Sequence, residues 1–158
     1  MRVDRHDFEI RPGVRKVELR HGFTQVHVTG LNESLADLRL EVLQIVAEAG
    51  ISLDFLKLTQ SGLSFLVPDS QQDAVRRVAD RLPGRTTVES GRSVLMVHAA
   101  NMRDEEGLMA SIVHRALESG CAVSHVGDMH DSLMLVIETE GSERVAEEFR
   151  ATLLEAGR

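Results

Sequence analysis

The densest group of ligand-type side chains in this sequence is His125, Asp128, His130 and Asp131, with His114 and Cys121 a short way upstream. Imidazole and carboxylate together form the donor set of a transition-metal site. Their spacing matches no closed-site signature, and the stretch reads as a turn whose side chains are solvated. No metal is expected there. Cys121 opens an apolar run, where a thiol packs as a small hydrophobe rather than serving as nucleophile or sensor. No Ser-His-Asp order, glycine-rich phosphate loop or pair of catalytic acids can be placed. The chain is therefore expected to be no enzyme, with no catalytic residue and no cofactor.

A second kind of chemistry belongs to two loops, 31–37 and 101–107, each leading into a helical pattern. A helix start exposes free amides at the positive end of the dipole, which suits a carboxylate. Glu33 and Asp37 in the first loop, and Asp104, Glu105 and Glu106 in the second, would repel a carboxylate but could hold an α-ammonium group. The plainer alternative is that these acids cap the helices. Ser34-Leu35-Ala36-Asp37 fits a capping box. Asp54 is expected on the polar side of its strand, or else as an effector contact at a subunit boundary.

The elements that must carry these loops occur twice. Shifting by 70 positions turns Leu38, Val42 and Leu43 into Leu108, Ile112 and Val113, Ala47 into Leu117, and Gly50 into Gly120. The same shift turns 63–67 into 133–137. Past Pro68 the shift is 71, and Ala74, Val78 and Leu82 match Val145, Phe149 and Leu153. A register held through three elements marks an internal repeat. Ahead of the first copy, Val17 and Leu19 alternate with Lys16 and Glu18 as a half-buried strand, His21-Gly22 is a hairpin-like turn, and 23–29 is a second strand. A helix follows to about Ala49, with Leu38, Val42, Ile45, Val46 and Ala49 on one face and Gly50 as its left-handed stop. Ile51, Leu53 and Phe55 then alternate as a strand, 59–62 turns back, and 63–67 is the next strand. A second helix opens at Pro68-Asp69-Ser70 and closes at Leu82-Pro83-Gly84, before a short strand at 86–88. The second copy runs from a strand at 93–99, through a helix ending at Gly120, strands at 121–127 and 133–137, to a last helix from Gly141-Ser142 to about Glu155.

The second copy thus lacks a fourth strand, while the N-terminal region has one too many, Val14–Arg20. An unpaired sheet edge is a liability, so strand 14–20 is expected to complete the second sheet. The predicted fold class is an α/β (α+β) sandwich of two ferredoxin-like βαββαβ units, each a four-stranded antiparallel sheet with helices on one face. The predicted domains are 23–90 and 14–20 plus 91–156, after a tail at 1–13.

Overall composition narrows the partners. The 158 residues carry 18 Lys+Arg against 25 Asp+Glu, a net charge of −7, which argues against nucleic acid. Aromatics are 3%, leaving little to stack on bases or sugars. No apolar run reaches the length of a membrane span. The charged first residues lack a signal-peptide core, and the lone Cys121 excludes an internal disulfide, so a cytoplasmic location is expected.

Four segments resemble the ACT domain, a small amino-acid-binding regulatory module, and more narrowly the paired ACT domains that regulate aspartate kinases. Val26-His27-Val28-Thr29-Gly30-Leu31 is similar to that family's first strand and loop, and Ile51-Ser52-Leu53-Asp54 to its post-helix strand. Leu63-Ser64-Phe65-Leu66-Val67-Pro68 resembles its third strand, and Asn101-Met102 with Gly107-Leu108 the opening of its second domain. The crossed-over first strand is also a feature of that family. The resemblance covers roughly 14–156 and includes no kinase domain. It implies an allosteric regulatory module that binds an amino acid or another small zwitterion, works as a homodimer through its sheets or helices, and controls an enzyme partner or its own oligomer. The implied ligand-binding residues are Asn32, Ser34, Asp37, Leu38, Ile51, Asn101, Met102, Gly107, Leu108 and Val123. Ile51, Gly107 and Val123 match the family, whereas Leu58 and Ala122 stand where it carries a Gln and an Asn. That departure keeps a second reading open, a structural or protein-interaction module that retained the ACT fold without its ligand.

Overall fold

The computed structural model describes residues 13–154. The expected tail at 1–13 and the end of the last helix near Glu155 therefore lie largely or wholly outside the described residues. The elements are β1 (Gly13–Thr29), α1 (Leu35–Glu48), β2 (Asp54–Thr59), β3 (Gly62–Pro68), α2 (Gln72–Ala79), β4 (Arg85–Ala100), α3 (Leu108–Glu118), β5 (Val123–Met129), β6 (Ser132–Glu138) and α4 (Ser142–Phe149). A 3-10 turn at Asp69–Gln71 leads into α2, and a π-helical turn at Arg150–Leu154 follows α4. The strands hydrogen-bond in the order β2-β3-β1-β4-β6-β5. The pairs β1/β3, β2/β3 and β5/β6 are antiparallel. Among the described residues no helix is long and apolar enough to cross a membrane.

The chain divides into two compact units. The first is His21–Ser93. Its core gathers Val26 and Val28 from β1, Val42 and Val46 from α1, Leu63, Phe65 and Val67 from β3, and Val75 and Val78 from α2. The second unit joins residues 13–20 to 94–154. Its core takes Val14 and Val17 from β1, Leu95, Val97 and Ala99 from β4, Ile112 and Ala116 from α3, Leu133, Leu135 and Ile137 from β6, and Phe149 from α4. The amino-terminal strand thus contributes apolar side chains to the core of the later copy.

The repeat holds in burial. Val42 and Ile112 are both fully buried, as are the pairs Leu63/Leu133 and Val67/Ile137. Gly50 and Gly120 both follow a helix at positive φ, 69° and 78°, where a side chain would be strained.

Several expectations need correction. His21-Gly22 is no hairpin turn, because β1 runs through it, and β4 likewise joins the two strands expected at 86–88 and 93–99. Gly22 at φ 88° and Gly91 at φ 69° explain why: a glycine can take the left-handed region inside a strand and bend it without ending it. The hydrogen-bonded array is therefore six-stranded. β2 begins only at Asp54, after Ile51 has already gone into the core, and its pairing to β3 slips between Asp54 and Lys57. Phe55, at φ 50°, sits inside that slip. Ala49, assigned to the inward helix face, is exposed, as are the repeat partners Ala47 and Leu117, the latter 61% accessible. Each lies near the C-terminal end of its helix, past the turns that Val46 and Ala116 anchor.

Candidate functional site

The structure leaves both helix starts uncapped by side chains. Ser34 precedes α1 at φ 50°, ψ 44°, and makes no side-chain cap hydrogen bond, so the expected capping box does not form. A capping hydroxyl needs an extended residue to aim at the amides of the first turn, and a left-handed one aims it elsewhere. Only the Ser34 carbonyl is engaged, accepting from the Leu38 amide at 3.0 Å. At the other start Gly107, at φ 76°, precedes α3 and has no side chain to offer. The Leu108 amide donates to the Glu105 carbonyl at 3.3 Å, and the Ser111 amide to the Gly107 carbonyl at 2.9 Å. α3 begins three residues later in the repeat frame than α1, so Asp104, Glu105 and Glu106 lie ahead of the helix and not in its first turn.

That delay shapes a concavity. A cavity of about 280 Å³ lies over the start of α3, lined by Met102, Arg103, Glu105, Glu106, Gly107, Met109 and Ala110. Met102 is buried in the second core and forms the floor. One carboxylate oxygen of Glu105 is buried without a hydrogen-bond partner. A buried acceptor without a donor is costly, and a ligand N–H would relieve it.

Of the residues singled out by sequence, Met102 and Gly107 meet at this concavity, and Leu108 packs half-buried against the same core. Asn101, at φ 52°, is exposed just before it. Val123 is half-buried at the start of β5, opposite Ile137. In the first unit Asn32, Ser34 and Asp37 are exposed on the loop, Leu38 packs on the core, and Ile51 lies within it. Asp54 is exposed.

The histidine-rich turn is dispersed by pairing. Asp128 binds Arg103 at 3.0 Å, His114 pairs along its helix with Glu118 at 3.3 Å, and His130 is 82% exposed, 3.8 Å from Asp131. Among the described residues no three such groups come together as metal ligands. Cys121 is buried in the second core, with Sγ 3.5 Å from the Glu138 carbonyl.

Two features escaped sequence reasoning. Arg39 leaves α1 to donate from Nε to the Gly62 carbonyl at 3.0 Å and from Nη2 to the Thr59 carbonyl, clamping the β2–β3 turn. On β1, Glu18 accepts from Lys16 at 2.9 Å and meets His98 Nε2 at 2.9 Å. The Lys16 and then the His98 hydrogen bond hold the Glu18 carboxyl down, at about 2 against an ordinary 4.5. The alternation Lys16, Glu18, Arg20 along one strand face was the available signal.

No family profile and no curated protein sequence matches the chain. Solved structures do. The regulatory subunit of aspartate kinase from Thermus thermophilus superposes with a TM-score of 0.77 at 15% identity, over 89% of this chain and 98% of that one. The chain has the fold of an aspartate kinase regulatory subunit. Clostridium acetobutylicum aspartate kinase matches at a TM-score of 0.80 and 14% identity, over 95% of this chain but 37% of that enzyme. Aspartokinase III from E. coli, in complex with lysine and aspartate, matches at 0.72 and 18%, over 93% of this chain and 34% of that one. This chain thus spans about a third of those two proteins, against 98% of the Thermus thermophilus regulatory subunit.

Proposed function

We propose that this chain is a regulatory module that binds a small zwitterion, an amino acid first among candidates, and passes that binding on as a shift between packings of its own oligomer or of a partner enzyme. The observation that carries the reading is the uncapped start of α3 above an apolar floor, in a chain with a regulatory fold. The ligand carboxylate lies on the first-turn amides of Met109 and Ala110, its ammonium meets Glu105 or Glu106, and its side chain rests on Met102 and Met109. Asn101, Leu108 and Val123 border this site. In the first unit the matching site is Asn32, Ser34, Asp37 and Leu38 over Ile51. The units correspond to two ACT-like domains, 23–90 and 14–20 plus 91–156, each a four-stranded βαββαβ sheet, and the chain pairs with a second copy. The role is non-catalytic and cytoplasmic; Cys121, buried and in no disulfide, fits a reducing compartment.

An effector moves an equilibrium only by binding its two states unequally. The test is a thermal-shift screen over the common amino acids. One clear stabiliser is expected, worth about 2.7 kcal/mol when present at roughly a hundred times its dissociation constant. A screen with no response to any of them counts against the reading.

A further inference from the structure

A second concavity, of about 420 Å³, opens in the second unit where β1, the end of β4 and the β5–β6 turn meet. It is lined by Arg15, His98, Asn101, His130 and Asp131, with the backbone at 99–100 beneath. Two of its polar groups, Arg15 and Asn101, are unspent within the described residues. Arg15 and the side chain of Asn101 make no hydrogen bond or ion pair with any described residue. His98, also in the lining, is held through Nε2, which sits 2.9 Å from Glu18. The cleft is held in shape by the Ala99 amide, which donates to the Asp131 carbonyl at 3.0 Å. In a chain of net charge −7, this is a place where a guanidinium, two imidazoles and a carboxamide converge on one space.

We infer that this cleft binds a small oxyanion of the hydrogen-phosphate type. A guanidinium offers a planar fork of N–H donors matched to two oxygens of a tetrahedral anion. The Asn101 amide and the His130 ring N–H add donors from other directions. The one opposing charge, Asp131, decides which anion. Its carboxylate can only accept, so it repels an anion without a proton and welcomes one that keeps a P–OH to donate. Hydrogen phosphate keeps that proton at neutral pH and sulfate does not. The groups facing Arg15 from the packed elements are His98, His130 and Asp131, with Glu18 already committed to Lys16 and His98. The inference does not rest on the amino-acid reading, because it uses a different cavity and a different ligand.

The experiment is a ¹⁵N–¹H NMR titration of the full chain with inorganic phosphate, methyl phosphate and sulfate at constant ionic strength, following the Ala99, Ala100 and Asn101 amides. Phosphate is expected to move these amides saturably and sulfate to bind several-fold more weakly. Arg15→Gln is expected to weaken phosphate about tenfold, with Arg15→Lys in between. Asp131→Asn should bring sulfate up to phosphate. Methyl phosphate, whose dianion keeps no P–OH, is expected to bind weakly like sulfate, and its binding as tightly as phosphate would overturn the role given to Asp131. Unchanged far-ultraviolet dichroism and melting of the variants separate lost binding from lost fold. No saturable shift with phosphate, equal binding of sulfate, or an Arg15→Gln variant that binds like the parent overturns the inference.

Discussion

At the scale of single residues, Glu18 carries a measurable pH dependence. Its folded pKa lies near 2, below the ordinary 4.5, because Lys16 and then His98 hydrogen-bond its charged form. A depressed acid pKa contributes stability that is complete above the unfolded value and is lost as pH falls through the folded one. The window is therefore pH 4.5 down to 2. Side-chain ¹³C titration should place the Glu18 midpoint far below those of exposed glutamates, and Glu18→Gln should flatten the acid limb of stability in that window. A Glu18 midpoint at the ordinary value would contradict the geometry. Two glycines make a sharper contrast. A Cβ on Gly62 would lie 1.7 Å from the Val28 carbonyl oxygen, which is backbone and cannot yield. One on Gly50 would meet nothing within 4 Å and faces only the strain of φ 69°. Gly62→Ala should cost about 3 kcal/mol or more in chemical denaturation, against about 1 kcal/mol for Gly50→Ala. Equal costs would show that neighbouring atoms do not decide the effect.

At the scale of elements, legibility followed how local each signal was. The helices were readable because α1 and α3 repeat Val42/Ile112 and Val46/Ala116 on one side and stop at Gly50 and Gly120. Strand joining was not readable, since Gly22 and Gly91 look like turns until hydrogen-bond partners on both sides extend the strand through them. The Ser34 box failed for a related reason: sequence gives the capping residue type but not its backbone angle. Of the proposed site, Met102 and Gly107 were legible from the loop-to-helix pattern. Arg15 and His98 were not, because they come from strands more than 80 positions apart. Arg39 was missed because its partners are carbonyls, which carry no residue type. Its two bonds tie α1 to the turn between β2 and β3. Arg39→Met should cost about 2 kcal/mol, the range of charged hydrogen bonds, and should speed amide exchange at 59–62. A variant with full stability and unchanged exchange there would show the clamp to be incidental.

At the scale of the whole molecule, one plan is built twice with different side chains. Phe65 fills the first core from a β-strand, and the equivalent strand position in the second is the smaller Leu135. The second core regains aromatic volume from a helix, where Phe149 stands in the repeat position of Val78. Volume has moved between layers while each unit has kept a closed core, as close packing demands. Phe65 and Phe149 are almost completely buried, so removing either ring should cost about 3–5 kcal/mol. The location of the damage should differ. Phe65→Ala should raise amide exchange first in β3 and α1, and Phe149→Ala first in β6 and α4, since each ring touches only its own cluster of buried residues. Hydrogen exchange resolved by residue reads that difference directly. If both variants loosened the same amides to the same extent, the two clusters would have to be one cooperative core, and an effector bound at the start of α3 could not be confined to the unit that holds it.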